Sequence, residues 1–406
     1  MCLSCRQTQG LIRTINLEAW GQNMSYDLAA RMTAWRHHLH SNPELSCQEI
    51  GTAAYVCTQL DALGLEYERD IGGHGVVARL SRGAGPSIGL RADMDALPIH
   101  ETSGVSYASC RSGVMHACGH DGHTASLLGA AQMLRDDESW RGTVNFVFQP
   151  AEEGYGGAEA MLKDGLLARF PMERIFGYHN WPGLALGTVA LHERAVMAAA
   201  ANFVITLRGK AGHAAMPHLA ADPVQGLAHL IVALNTIPAR NMNPLEAGVI
   251  STCTLSAGEA RNQIPSEATA SGTIRALSET TMALLQTRLR DLATNIAAAH
   301  NLVAGVKIFS TLAATVNDPA AAALAAGAAE RAGLTVRRDL PPSMAAEDFG
   351  RFLREIPGAY AWIGNGGSAS LHNPDYDYND EILPVAARYL VATALAALRD
   401  GAVSGL

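Results

Sequence analysis

Thr143-Val-Asn-Phe-Val-Phe-Gln-Pro-Ala-Glu-Glu153 is the stretch on which the fold turns. A run of aromatic and β-branched residues reads as a buried strand, stops at Pro150, and hands over two adjacent carboxylates. Upstream lie Val76–Leu80 and Ser87–Asp93, two more β-rich segments followed by turns, and between Asp93 and Thr143 an Ala/Leu-rich helix runs from about 123 to 134. Further back, apolar residues at helical spacing from Ser25 to Leu63 predict two helices broken at Asn42-Pro43. Strands alternating with helices predict an α/β fold, a mixed sheet flanked by helices. Catalytic groups are then expected just beyond the strands' C-terminal ends, where Glu152 and Glu153 stand.

Downstream, near Glu193, the pattern changes. Asn202–Arg208 alternates as a half-exposed strand, Pro223–Leu234 reads as a helix, and Val249–Leu255 and Ala268–Arg275 read as strands. Glu279–His300 is a long amphipathic helix and Val306–Phe309 a last strand. This βαββαβ order predicts a ferredoxin-like α+β unit at 195–310, inserted into a catalytic domain made of 25–194 plus 311–406. Residues 1–24 read as a leader, with Met24 as an alternative start.

The 406 residues carry 30 Lys+Arg against 38 Asp+Glu, a formal charge of −8, so no basic footprint for nucleic acid or an anionic membrane is expected. No run approaches the ~18 apolar residues of a membrane span. Seven cysteines thinly spread are not a disulfide framework, and a reducing, cytoplasmic setting is expected. Cys2-Leu-Ser-Cys5 has no partner pair elsewhere, so it carries no metal-site prediction.

The densest chemical signal is Met115-His-Ala-Cys-Gly-His-Asp-Gly-His123. On an extended backbone, Cys118 and His120 would face the same side and could converge on one ion. Glu152 and Glu153, as neighbours, point apart, so one can hold a metal while the other works on a water. Arg174-Ile-Phe-Gly-Tyr-His179 delivers another imidazole at a strand end, and His372 follows the apolar Tyr360–Ile363 run. Cys118, His120, Glu153, His179 and His372 are more donors than one tetrahedral ion needs, which predicts a two-metal centre with Glu152 as general base. Arg36-His-His-Leu-His40 looks like a further cluster, but it ends a helix and is read as structural. Serine or cysteine nucleophile readings lack a local base and orienter.

Five motifs in order then resemble one family: Arg91-Ala-Asp-Met-Asp-Ala-Leu-Pro98, Met115–Thr124, Gln149-Pro-Ala-Glu-Glu153, Gly209-Lys-Ala-Gly-His-Ala-Ala-Met-Pro-His218 and His372-Asn-Pro-Asp-Tyr376. They look like the aminoacylase, hippurate hydrolase and auxin-conjugate amidohydrolase branch of the dinuclear metallopeptidases related to carboxypeptidase G. The resemblance implies a zinc-exopeptidase-like catalytic domain and two divalent cations, Zn, Mn, Ni or Co, at the five donor positions. It implies Glu152 as base and the 195–310 insert as a lid that also forms a homodimer. His213 would stabilise the oxyanion, and Asn262 and Arg275 would bind substrate, Arg275 gripping a carboxylate. Many relatives have His-x-Asp where this chain has Arg91-Ala-Asp93. Arg91 cannot ligate a cation, so Asp93 is expected to support the site rather than bind metal, with His120 supplying the imidazole. In Ala345-Ala-Glu-Asp-Phe349, Glu347 and Asp348 are expected either to support the site or to form an exposed turn. The activity implied is hydrolysis of N-acyl amino acids such as hippurate-like or N-acetyl compounds. A dipeptidase of the same fold and a non-catalytic metal-binding carrier are the alternatives.

Overall fold

The structure, a computed structural model, describes residues 26–154 and 156–403. The 1–24 leader, the Cys2/Cys5 pair and Met24 lie outside the described residues. An eight-stranded mixed sheet organises the larger part of the fold. Its strand order is Glu66–Ile71, Gly75–Arg82, Gly142–Gln149, Ser87–Asp93, Arg174–Pro182, Gly358–Gly366, Val189–Leu191 and Val336–Arg337. The four middle strands, from Gly142–Gln149 to Gly358–Gly366, run parallel. Their C-terminal ends therefore share one edge, and Asp93, the Glu152-Glu153 pair, His179 and His372 lie on or just past them. These strands are buried almost throughout and read as near-continuous apolar runs, as central parallel strands must.

Helices Tyr26–Ser41, His120–Asp136 and Leu383–Val403 pack together over this sheet, with Pro319–Arg331 beside the last of them. Alanines along Pro319–Arg331 let it approach closely, and Ala321, Ala325 and Ala329 are fully buried. The C-terminal helix corrects one sequence expectation: Asp380–Asp400 is long and apolar enough to cross a membrane. Most of it is buried inside the protein, where Leu390, Ala394 and Leu398 join the main core. Its apolarity is that of a core helix with little solvent face.

A second sheet has the order Gly248–Ala257, Glu267–Ala276, Ala199–Arg208, Val303–Leu312, all antiparallel. With helices Pro223–Leu234 and Glu279–Ala299 packed against it, the arrangement is ferredoxin-like, and it encloses its own core of Phe203, Ile205, Leu227, Leu230, Leu285 and Leu289. Ser278 caps the long helix by accepting from Thr281 N, and Asp222 caps Pro223–Leu234 by accepting from Val224 N. A short pairing of Ala195–Met197 with Thr315–Val316 lies where the chain enters and leaves this unit.

Candidate metal centre

The His120–Asp136 helix begins at His120, earlier than periodicity predicts, because Gly119 at its N-cap adopts φ 91°. A side chain at Gly119 would stand 2.5 Å from Asn180 Oδ1 and 2.7 Å from the Tyr376 hydroxyl, so only glycine fits both the conformation and the space. Cys118 and His120 thus converge through a left-handed glycine and a helix start, not through the extended backbone that the spacing suggested.

Five sequence-predicted donors meet at the sheet edge. Donor atoms of Cys118, His120 and His179 lie within 4.8 Å of one another, as do those of Cys118, Glu153 and His372, and those of His120, Glu152 and Glu153. Cys118 Sγ is 3.4 Å from His179 Nε2. His372 Nε2, on the exposed rim, is 3.3 Å from Glu153 Oε1. Its backbone has φ 61°, and His372 N donates to Ala117 O, which ties the C-terminal loop to the Cys118 loop.

The histidines are held so that one nitrogen of each is free to bind. His120 Nδ1 donates to the Asp95 carbonyl at 2.8 Å, and His179 Nδ1 donates to the Asn180 carbonyl at 2.7 Å. A carbonyl only accepts, so Nδ1 of each carries a proton and Nε2 is the nitrogen left facing the other donors. Among the described residues, buried His120 Nε2 and Glu153 Oε1 have no hydrogen-bond partner. Two orphaned polar atoms pointing into a nest of sulfur, imidazole and carboxylate fit a divalent cation, since buried polar groups are otherwise paired.

Charge supports the same fit. Burial, then the Glu153 and Glu152 carboxylates, pushes the Cys118 thiol well up, so a thiolate here needs a cation beside it. Burial and then His123 push His179 well below its ordinary value, leaving it neutral as a ligand must be. For His120, burial works against the proton but is outweighed by Asp93 and Asp95, which hold it at about 10, so a cation there displaces a proton. Burial, then Glu347, Glu153 and Asp348, pushes the Glu152 carboxyl well up. Glu152 Oε1 accepts from Asp348 N at 3.3 Å.

Asp93 sits between Arg91, His123 and His120. Its Oδ1 accepts from His123 Nδ1 at 2.6 Å, its Oδ2 accepts from Arg91 at 2.8 Å, and Oδ2 is 3.7 Å from His120 Nε2. Glu347 and Asp348 are buried, not an exposed turn. Asp95 is the residue that sequence reasoning missed: its carbonyl orients His120, and its Oδ2 accepts from Glu153 N at 3.0 Å and from Ser46 Oγ at 2.6 Å. Its signal was present, two residues past Asp93 in Arg91-Ala-Asp-Met-Asp95. The histidine-rich segment is tied into the fold by side-chain bonds. Arg36 is buried against Asp377, Asp380 and Asp121, and His40 bridges Asp121 and Glu101.

His213, Asn262 and Arg275 lie on the second sheet's unit. His213 pairs with Gln263 in a two-stranded ribbon, and Ala214 N donates to Asn262 O, so His213 and Asn262 are neighbours and both exposed. Half-buried Arg275 hydrogen-bonds Thr273 Oγ1 and the Ile274 carbonyl. Among the described residues, no hydrogen bond or ion pair joins these three to the donor cluster. A cleft of about 780 Å³ separates the two sheets, lined by Gly154, Glu159 and Arg351 on one side and Glu279, Met282 and Leu312 on the other.

The fold recurs in known proteins. The chain is 40% identical over 378 residues to a hippurate hydrolase of Campylobacter jejuni, with 92% of this chain and 98% of the relative covered. It is 38% identical over 385 residues to an N-acetyl-L-cysteine deacetylase of Bacillus subtilis, with 94% and 92% covered. A solved Bacillus subtilis protein, a dinuclear metal-binding peptidase of the M20 family, superposes with a TM-score of 0.82 at 34% identity, covering 92% of this chain and 99% of that one. The pattern of peptidase family M20/M25/M40 matches residues 89–396, a span that takes in every strand end feeding the donor cluster and the whole second sheet, and the chain belongs to that family.

Proposed function

We propose that the protein is a metal-dependent amidohydrolase that cleaves N-acyl amino acids to a carboxylic acid and a free amino acid. The observation that carries this reading is the convergence of Cys118, His120, Glu153 and His179 at the parallel strand ends, with Glu152 buried beside them. Those four and His372 would hold two divalent cations, Zn, Mn, Ni or Co. Such ions, when bound, acidify a water and polarise a carbonyl.

Glu152 takes the proton of the attacking water and returns it to the leaving nitrogen. Burial and Glu347 raise the proton affinity of Glu152, and cations held beside it would lower it again, which favours the carboxylate that a base requires. Asp95 fixes the angle of His120 and the backbone of Glu153, so neither needs to reorganise during the reaction. In the second unit, Arg275 is suited to grip the substrate's α-carboxylate bidentately, and His213 and Asn262 to hold the oxyanion and the acyl amide. Segment 195–310 serves as the lid that brings them to the cluster, and as the face of a homodimer. The five described cysteines are free, in keeping with a reducing setting in which Cys118 stays available.

The test is a panel of N-acyl amino acids and dipeptides with metal-loaded protein and with Glu152→Gln. Hippurate-like and N-acetyl substrates should be turned over in preference to dipeptides, and Glu152→Gln should cut kcat by about 10²–10⁴-fold with metal retained. Equal rates in the two proteins would remove Glu152 as the base, and binding without turnover across the panel would replace the enzyme by a carrier.

A further inference from the structure

Arg91, near the end of the central strand Ser87–Asp93, is wholly buried. All three guanidinium nitrogens are used. Nε donates to Gln149 Oε1 at 2.7 Å, and Nη1 to Asp93 Oδ2 at 2.8 Å and the Tyr360 hydroxyl at 3.3 Å. Nη2 donates to Glu347 Oε1 at 2.9 Å and Asp348 Oδ1 at 3.1 Å. One cation thus joins the end of a central strand to a loop more than 250 residues further along the chain.

That loop lies against the proposed base. Carboxylate oxygens of Glu152, Glu347 and Asp348 lie within 4.8 Å of one another, a spacing at which three negative charges in a dry site repel. Arg91 is the cation whose ion pairs neutralise this group. Asp348 is further pinned by Gln149 Nε2 at 2.7 Å and Ala158 N at 2.9 Å, and Glu347 by Phe349 N at 2.9 Å and the Tyr360 hydroxyl at 2.6 Å. The outcome of all these bonds is one fixed donor, Asp348 N, aimed at Glu152 Oε1. Such an array is expensive to bury and is needed for packing only if a hydrophobic group could not fill the space. Its geometry serves orientation instead.

We propose that Arg91 is the positioning residue of Glu152: by tying Glu347 and Asp348 to the strand end, it holds the Asp348 backbone N–H against the Glu152 carboxylate. The proposal rests on the amidohydrolase reading for its kinetic consequence, while its structural consequence stands apart from it. Arg91 does not touch the substrate, so its loss should act on kcat and leave binding alone.

The full-length, metal-loaded protein is compared with Arg91→Met, Arg91→Lys and Asp348→Asn on the N-acyl amino acid that the parent hydrolyses fastest. Arg91→Met should lower kcat by about 10–100-fold, with metal content unchanged and KM within about twofold, and Arg91→Lys should recover part of the loss. A crystal structure of Arg91→Met should show Glu152 Oε1 withdrawn from Asp348 N. An unchanged kcat, or a loss that follows metal content or KM, overturns the proposal. If Arg91→Met does not melt cooperatively, Asp348→Asn, which keeps the side-chain shape, carries the same kinetic and structural readouts. A parent that turns over no N-acyl amino acid sinks the amidohydrolase reading, and the variant structure still decides: Glu152 unmoved against Asp348 N overturns the positioning role.

Discussion

The parallel-strand edge of the first sheet and the exposed ribbon of the second place their chemistry in opposite ways. At the edge, Cys118, His120 and His179 are buried, each imidazole is oriented by a backbone carbonyl, and Asp95 and Arg91 brace the carboxylates from behind. On the second unit, His213 and Asn262 face solvent in and beside a short two-stranded ribbon, and among the described residues Arg275 hydrogen-bonds only its own strand. The first region is finished before any substrate arrives. The second offers groups whose use requires another surface to come to them. Division of labour follows: the edge should govern the chemical step, and the ribbon should govern substrate capture and the stabilisation that follows closure.

The sharpest way to break this contrast is to remove the second unit's groups. His213→Ala should lower kcat by about 10²-fold, the scale of one lost oxyanion donor, with metal content and melting temperature unchanged. Arg275→Met should instead raise KM by about 10-fold or more for substrates with a free carboxylate, and by much less for their esters, since a charge-assisted bond is worth about 1.5–3 kcal/mol. Steady-state kinetics on acid and ester pairs separate the two. Unfolding of either variant would show that group to be as structural as those of the edge.

A smaller effect concerns stability behind the edge. His40 donates to Asp121 at 2.8 Å and to Glu101 at 3.1 Å, which requires both ring nitrogens to be protonated. Burial opposes that charge but is outweighed by the hydrogen bonds to the two carboxylates, so His40 is held at about 9, while Glu101, despite its own burial, is lowered to about 2 by His40 and Ser103. The His40 contribution is therefore complete below its unfolded value near 6.5 and is lost as pH rises through about 9. The Glu101 contribution is present above its unfolded value near 4.5 and fails as pH falls towards 2. Melting curves should show the parent losing stability between pH 6.5 and 9.5 more steeply than His40→Gln. Parallel curves would remove the His40 pair from the account.

Much of this was legible in the sequence, for identifiable reasons. Central strands such as Gly142–Gln149 are apolar on both faces, and strand Ala199–Arg208 of the ferredoxin-like unit alternates along most of its length, so periodicity finds them. The strand Glu66–Ile71 escaped because it is a sheet edge, mostly exposed, and its residues Glu-Tyr-Glu-Arg-Asp read as a polar loop. The donors announced themselves as clustered Cys, His and Glu at strand ends. The start of the helix at His120 did not, because a left-handed Gly119 leaves no trace in periodicity. The Arg91 network was invisible for a different reason: its partners Glu347 and Asp348 are remote in sequence, and Glu347-Asp348 resembles a solvated acidic turn until the sheet brings it beneath Glu152.

The measurement that bears most directly on the central claim is anomalous diffraction at the absorption edge of the ion in metal-loaded crystals, with elemental analysis of the same preparation. The account predicts two ions per chain, both within ligand distance of atoms drawn from Cys118, His120, Glu153, His179 and His372, with Glu152 beside them. A protein that hydrolyses N-acyl amino acids with no ion at that edge, or with its ions elsewhere, would contradict it.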